Sequence, residues 1–359
     1  MFTSHINLSK CSVFTPLMLA FSVCISLTAA AQYEPALTIP IADTEEIALT
    51  IAFSPDGNRI IRGGPSLTLL DAATGQESHT YTDDGNSGYV VYSPNGKLVA
   101  AAYPNITPFW LFRVKLWDLE TGRSIHTLEY SIHQFDKAPR RNEWIAMAFS
   151  PDGKRLLTGD AASRLVSWNT ETGEMIHEYM VFDHPTPDLI IKLAFLPNGR
   201  QIMAQQGSDV NLVSLETDEI EYEIYAASDF SMARDGTRFI IPDTRSAGLY
   251  DVETGESIRT YPVQYTSSTR EMEISPDGKL ILVAGRRDSD HYYSRVIINT
   301  ETGEQLREYP ECDDRWIQFS PDGKRFLAVD RLKNAICVYD VSDLQSAVRE
   351  APEYERKEE

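Results

Sequence analysis
The chain has 359 residues, 42% of them hydrophobic, enough to bury one or two sizeable cores. Thirty-three basic residues against 53 acidic ones give a net charge of −20, a field that repels phosphate backbones and anionic membrane surfaces and so disfavours nucleic acid as a partner. A charged content of 24% with 10% aromatics is that of a folded chain, and no specific activity follows from it.

The first element in chain order is a predicted export signal, residues 1–31. Lys10 precedes an uncharged stretch from Cys11 to Ala31, and Ala29-Ala30-Ala31-Gln32 offers the small residues a signal peptidase reads. Pro16 and the interspersed Ser and Thr count against an uncleaved anchor. Phe21-Ser22-Val23 counts against a lipoprotein site at Cys24. Either way the remainder is expected outside the cytoplasm, secreted or periplasmic, with no stable membrane insertion once the signal is cleaved.

From there the chain repeats itself, the feature to look for before any single motif. A turn phrase recurs at Ser54-Pro55-Asp56-Gly57, Ser93-Pro94-Asn95-Gly96, Ser150-Pro151-Asp152-Gly153 and Leu196-Pro197-Asn198-Gly199. It continues at Ala233-Arg234-Asp235-Gly236, Ser275-Pro276-Asp277-Gly278 and Ser320-Pro321-Asp322-Gly323. Proline presets φ, Asp or Asn bonds its own backbone, and glycine supplies positive φ, so each phrase predicts a tight reversal between strands. A second phrase, Thr-Gly, lies between at Thr74, Thr121, Thr172, Thr254 and Thr302, with Thr217-Asp218 as a degenerate copy. Short apolar strands flank these turns, such as Ile145-Ala146-Met147-Ala148-Phe149 and Leu280-Ile281-Leu282-Val283. Four strands per repeat without a helical stripe predict an all-β, seven-bladed propeller of four-stranded antiparallel blades over residues 32–344. Ala36-Leu37-Thr38-Ile39-Pro40 has no blade of its own and the last repeat lacks a fourth strand. The N-terminal strand is therefore expected to complete the last blade and close the ring. Residues 345–359 are expected to form a charged tail.

The order Ser-Pro-Asp-Gly, apolar strand, Trp-Asp-x-x-Thr-Gly, fullest in Val114-Lys115-Leu116-Trp117-Asp118-Leu119-Glu120-Thr121-Gly122, resembles the WD-repeat β-propeller family, in a degenerate form of the exported bacterial type. The resemblance covers nearly all of the chain after the signal and implies the propeller fold. The Gly-His pair that opens a WD repeat is missing, so its His-to-Asp network is not carried over.

In an up-and-down meander the first and third turns share one face, and here they are short. The longer connections, 103–113, 131–144, 183–189 and 286–294, fall on the other face and carry aromatics and arginines, the residue types of interface anchors. A non-enzymatic scaffold binding a protein or peptide through Phe109, Trp110, Phe112, Phe135, Arg140, Arg141, Arg286, Arg287, Tyr292 and Tyr293 is the expected function. Tolerated insertion is the plain alternative. Trp144 and Trp316 are expected to open inner strands and pack between blades.

For chemistry the chain offers little. His79, His126 and His177 are repeat equivalents on outer strands and cannot converge on a metal, while His133, His184 and His291 lie in the variable connections without ligand spacing. Neither a nucleophile elbow nor a phosphate-binding glycine loop is present. No catalytic residue, metal or cofactor is therefore expected. The rival expectation is a lactonase- or glycosidase-like propeller hydrolase with a metal or carboxylates at its central mouth, and a sensor module of an envelope assembly is a third. Cys312 and Cys337 are candidates for a disulfide; the alternative is a buried Cys337 and a loop thiol.

Overall fold
In the computed structural model, the described residues are 34–41, 50–64, 66–81, 87–103, 111–131, 146–160, 163–179, 181, 189–225, 229–242, 246–263, 265–287, 293–310, 314–330 and 332–349. A compact unit begins at Ala36. It holds seven four-stranded antiparallel sheets, in each of which chain neighbours pair. The first strands of neighbouring sheets touch around a common axis. This is the seven-bladed propeller, and its strands are lettered a to d outward from the axis.

Closure is as the sequence predicts. In the last sheet Leu37–Pro40 takes the outermost place beside Ala335–Asp340, with Thr38 opposite Cys337 and Ile39 opposite Ile336. The first and last parts of the chain thus share one blade, and the strand Ala335–Asp340 is not left as an edge.

The turn phrases do what their residues require. All seven glycines of the first phrase have φ between 66° and 72°. In the first copy the Gly57 amide donates to the Ser54 carbonyl at 2.8 Å, and the Arg59 amide donates to Ser54 Oγ at 2.9 Å. The Ser54 hydroxyl, then the Asn58 amide, hold the Asp56 carboxyl below its ordinary range. Asp218 shows the cost of degeneracy: it sits where other blades have glycine, and takes φ 58° itself.

Seven apolar clusters fill the seven seams between blades, one each. Within them the tryptophans differ. Trp168 Nε1 donates to Thr158 Oγ1 at 3.0 Å across the blade. In the one blade that spells Trp-Asp, the matching strand position is Ala101, and Trp117 Nε1 is buried without an acceptor.

One element differs from the sequence reading. Ser342–Arg349 is a helix, where the sequence reading has only the end of the ring and the start of a charged tail. Asp340 Oδ1 accepts the Ser342 amide at 2.8 Å just ahead of its first turn, and Leu344 is buried in the seam between blades 6 and 7. The helix stands where other blades have a c–d turn, and its Asp343 pairs with Arg307. No helix among the described residues is long and apolar enough to cross a membrane.

Candidate functional site
Side chains alternate along the inner strands, so every second residue faces the axis. Ile51, Met147, Leu193, Phe230, Met272 and Ile317 pack into the seams. Their alternates Thr50, Tyr89, Ala146, Lys192, Asp229, Glu271 and Trp316 form one tier around the bore. A second tier, nearer the Pro-Asp-Gly turns, has Ala52, Val91, Ala148, Ala194, Ser231, Glu273 and Gln318.

Several of these polar residues complete the inner edges of the blades, whose backbone groups have no strand beside them. Thr50 Oγ1 donates to the Gly88 carbonyl at 2.8 Å, and Gln318 Oε1 accepts the Phe53 amide at 2.8 Å. Glu271 Oε2 accepts the Ile317 amide at 2.7 Å, and Ser231 Oγ the Ile274 amide at 3.2 Å. Each bond runs from one blade to the next.

A charged group remains beyond this edge-completing set. Lys192 Nζ lies 2.9 Å from Asp229 Oδ1 and 5.5 Å from the Phe230 ring centre. The pair keeps side-chain exposures of 32% and 17%. Burial alone would lower the Lys192 pKa, but Asp229 and Glu273 outweigh it and hold the ammonium above its ordinary value. Burial pushes the Glu273 carboxyl up to about 7, against the pull of Lys192. Across the axis stand Tyr89 and Trp316, with ring centres 5.9 Å apart. Burial raises the Tyr89 hydroxyl as well, and it feels the charges of Lys192, Asp229 and Glu273. The bore is therefore aromatic on one side and charged on the other.

Glu273 gives a pH signature. Its folded value lies above the ordinary 4.5 of a glutamate, so the folded state holds the extra proton between the two values and stability falls as pH rises through this window to about 7. Glu273→Gln is expected to flatten that slope and to gain about 2–3 kcal/mol at pH 8, read from denaturant melts at pH 5 and pH 8. An unchanged slope would mean that Glu273 is solvated as an ordinary surface acid.

No protein-family model matches the chain. Over 120 residues, 33% of the chain, it is 29% identical to the small ribosomal subunit protein RACK1 of Schizosaccharomyces pombe, covering 36% of that protein. Over 294 residues, 77% of the chain, it is 22% identical to the periodic tryptophan protein 2 homolog of the same organism, covering 30% of it. The chain thus spans about a third of the length of each relative. With the seven-bladed ring, these likenesses support a WD-repeat propeller.

Of the residues the sequence singles out, Phe109, Trp110, Phe135, Arg140, Arg141 and Tyr292 lie outside the described residues, as do Trp144 and Cys312. The other four lie in strands rather than loops. Phe112 is in Leu111–Asp118, paired with Tyr130; Arg286 and Arg287 end Leu280–Arg287; Tyr293 opens Tyr293–Asn299 opposite Arg286. The hairpins of blades 2 and 6 continue further than their polar sequences indicate. Tyr103, at the start of the 103–113 connection, is core: it is 4% exposed and packs between blades 1 and 2. Trp316 lies in the inner strand Asp314–Phe319, packed against the seam of blades 7 and 1. Cys337 is buried, and burial raises its thiol.

His79, His126 and His177 sit on three successive outer strands. His126 Nε2 lies 2.8 Å from the Glu171 carbonyl and His177 Nε2 3.0 Å from Asp218 Oδ2, each reaching the c–d turn of the next blade. Tyr222 at the same repeat position donates to the Val252 carbonyl at 2.8 Å, and Arg259 donates to the Glu301 carbonyl. These are clasps between blades. Among the described residues no three His, Cys, Asp or Glu side chains are grouped as metal ligands would be. What sequence reasoning missed is the charged bore. Its only signal was polar residues at inner-strand positions where other blades have alanine.

Proposed function
We propose that the chain is a non-enzymatic interaction scaffold, exported from the cytoplasm through residues 1–31, that binds a protein or peptide on the face of its b–c and d–a connections. Likeness to WD-repeat proteins supports the scaffold part of this reading. The observation that carries the choice of face is connection length. All seven a–b connections between the strands are five residues long, as in 54–58 and 320–324. On the other face they range from two residues, 207–208, to fourteen, 132–145. A rigid ring with one uniform and one variable rim is suited to recognition on the variable rim. The anchors are Phe109, Trp110, Phe112, Phe135, Arg140, Arg141, Arg286, Arg287, Tyr292 and Tyr293.

The test uses residues 32–359 as bait against extracts of the source cells. Trp110→Ala and Arg141→Ala are expected to release the captured partner while Tm stays within about 2 °C, with a loss near 2 kcal/mol each if they are anchors. Retention of the partner, or unfolding of both variants, overturns the face assignment. Fractionation of cells expressing the chain with and without residues 1–31 tests export separately.

A further inference from the structure
Clasps on the outer part of the ring join successive blades, and among the described residues one seam shows none from the equivalent side chains. Blade 2 holds blade 3 through His126, blade 4 holds blade 5 through Tyr222, and blade 6 reaches the closing helix through Arg307. Blade 5 holds blade 6 through Arg259 and through Tyr261, whose hydroxyl donates to the Thr300 carbonyl at 2.6 Å. Arginines on second strands do the same work. Arg325 of blade 7 donates to the Gly57 carbonyl at 2.7 Å, and Arg155 of blade 3 donates to the Gly199 carbonyl.

Blade 1 carries all three counterparts, Arg59, His79 and Tyr81. Among the described residues none of them makes a hydrogen bond to blade 2. Arg59 is exposed and does not reach the Gly96 turn. His79 packs against the Tyr81 ring, with ring centres 4.4 Å apart, and lies beside Gly122. Tyr81 is 2% exposed, with its hydroxyl buried and unpartnered. Between the two blades lies a cavity of about 410 Å³. Arg59, His79, Ser78, Leu69, Asp71 and Tyr81 line it from blade 1; Leu119, Glu120, Thr121 and Gly122 line it from blade 2.

The lining states the chemistry. An arginine fork and an imidazole are a donor pair for a carboxylate. Glu120 and Asp71 oppose a multiply charged anion. Asp71 stays ionised because Thr74 and Ala73 donate to it and hold its carboxyl below the ordinary range. A cationic group on the ligand answers these acids, and Leu69 and Leu119 offer room for an apolar side chain.

We propose that the seam between blades 1 and 2 binds a small zwitterion with a carboxylate and an ammonium group, the pattern of a free apolar amino acid. Its carboxylate sits on Arg59 and His79. Its ammonium faces Glu120 and Asp71. The ligand thereby supplies the clasp that this seam lacks. This site is separate from the variable rim, and its test does not depend on a partner there.

The experiment is calorimetry and thermal melting of residues 32–359 with L-leucine, with acetate and butylammonium as the two half-ligands. Leucine is expected to bind and raise Tm, each half-ligand at least tenfold more weakly. Arg59→Gln is expected to weaken leucine tenfold or more without lowering the unliganded Tm, since Arg59 clasps nothing. His79→Gln provides a second variant with the same expectation in a smaller degree. Arg155→Gln, in a clasped seam, should lower Tm and leave leucine binding unchanged. Absence of leucine binding, equal binding of acetate, or leucine affinity undiminished in Arg59→Gln overturns the assignment.

Discussion

Replacing Arg295 by leucine is expected to destabilise the propeller by about 3–5 kcal/mol, the cost of stranding a buried charge. Arg295 lies in the c strand of blade 6, is 1% exposed, and places Nη2 3.5 Å from Asp330 Oδ2 on blade 7, itself 2% exposed at its side chain. The guanidinium also covers the Tyr339 ring, 4.7 Å from its centre. Leucine would fill part of the space and leave the Asp330 carboxylate without that counter-charge in an apolar seam. Asp330→Asn in the same background removes the stranded charge while Oδ1 can still accept the Leu332 and Lys333 amides it now holds at 3.0 and 3.3 Å. The double variant should therefore be more stable than Arg295→Leu alone, by 1 kcal/mol or more in denaturant melts. A single variant within about 1 kcal/mol of the parent would show that the seam relaxes and admits water to Asp330.

Why the fold was open to reading from sequence and the bore was not is visible in particular residues. The turn phrases are imposed by local backbone demands that every blade shares, so Gly57 and Gly323 announce the same reversal 266 positions apart. Closure could be read because Leu37-Thr38-Ile39 was a strand without a blade and Asp340 ended a blade without a strand. The closing helix could not, because its signals are two: Asp340 ahead of Ser342, and Leu344 amid charged residues. The bore has no local signature at all. Lys192, Asp229 and Glu273 lie in three repeats, and their meeting depends on register, which the bulge between Ile190 and Lys192 also affects. The seam of blades 1 and 2 was equally silent, since Arg59, His79 and Tyr81 match their repeat counterparts in kind and differ in what they touch. For Arg286, Arg287 and Tyr293 the obstacle was composition: polar and aromatic residues beside a turn read as loop, although the ladder continues from Arg286 to Tyr293.

Removing residues up to Ile41 is expected to cost about 4–8 kcal/mol and to lower Tm by ten degrees or more, the second large effect. The deletion takes Ile39, 7% exposed, and Ile41, 5% exposed, out of the seam between blades 7 and 1. It also removes the four ladder partners of Ala335–Val338. Ile39 does more than cover its own blade: a Cβ on Gly75 would lie 2.7 Å from Ile39 Cγ1, so the strand is wedged against the c–d turn of blade 1. Without it that turn loses its neighbour and the strand Ala335–Asp340 becomes an open edge. Chains 42–359 and 32–359, compared by thermal melting and by size-exclusion chromatography, should differ in both Tm and association. A synthetic peptide of residues 32–41 should restore part of the loss by mass action, because it binds the folded ring and not the unfolded chain. Equal melting of the two chains would mean that six complete blades and a three-stranded seventh hold the ring unaided, and the closing strand would then be a cover and not a lock.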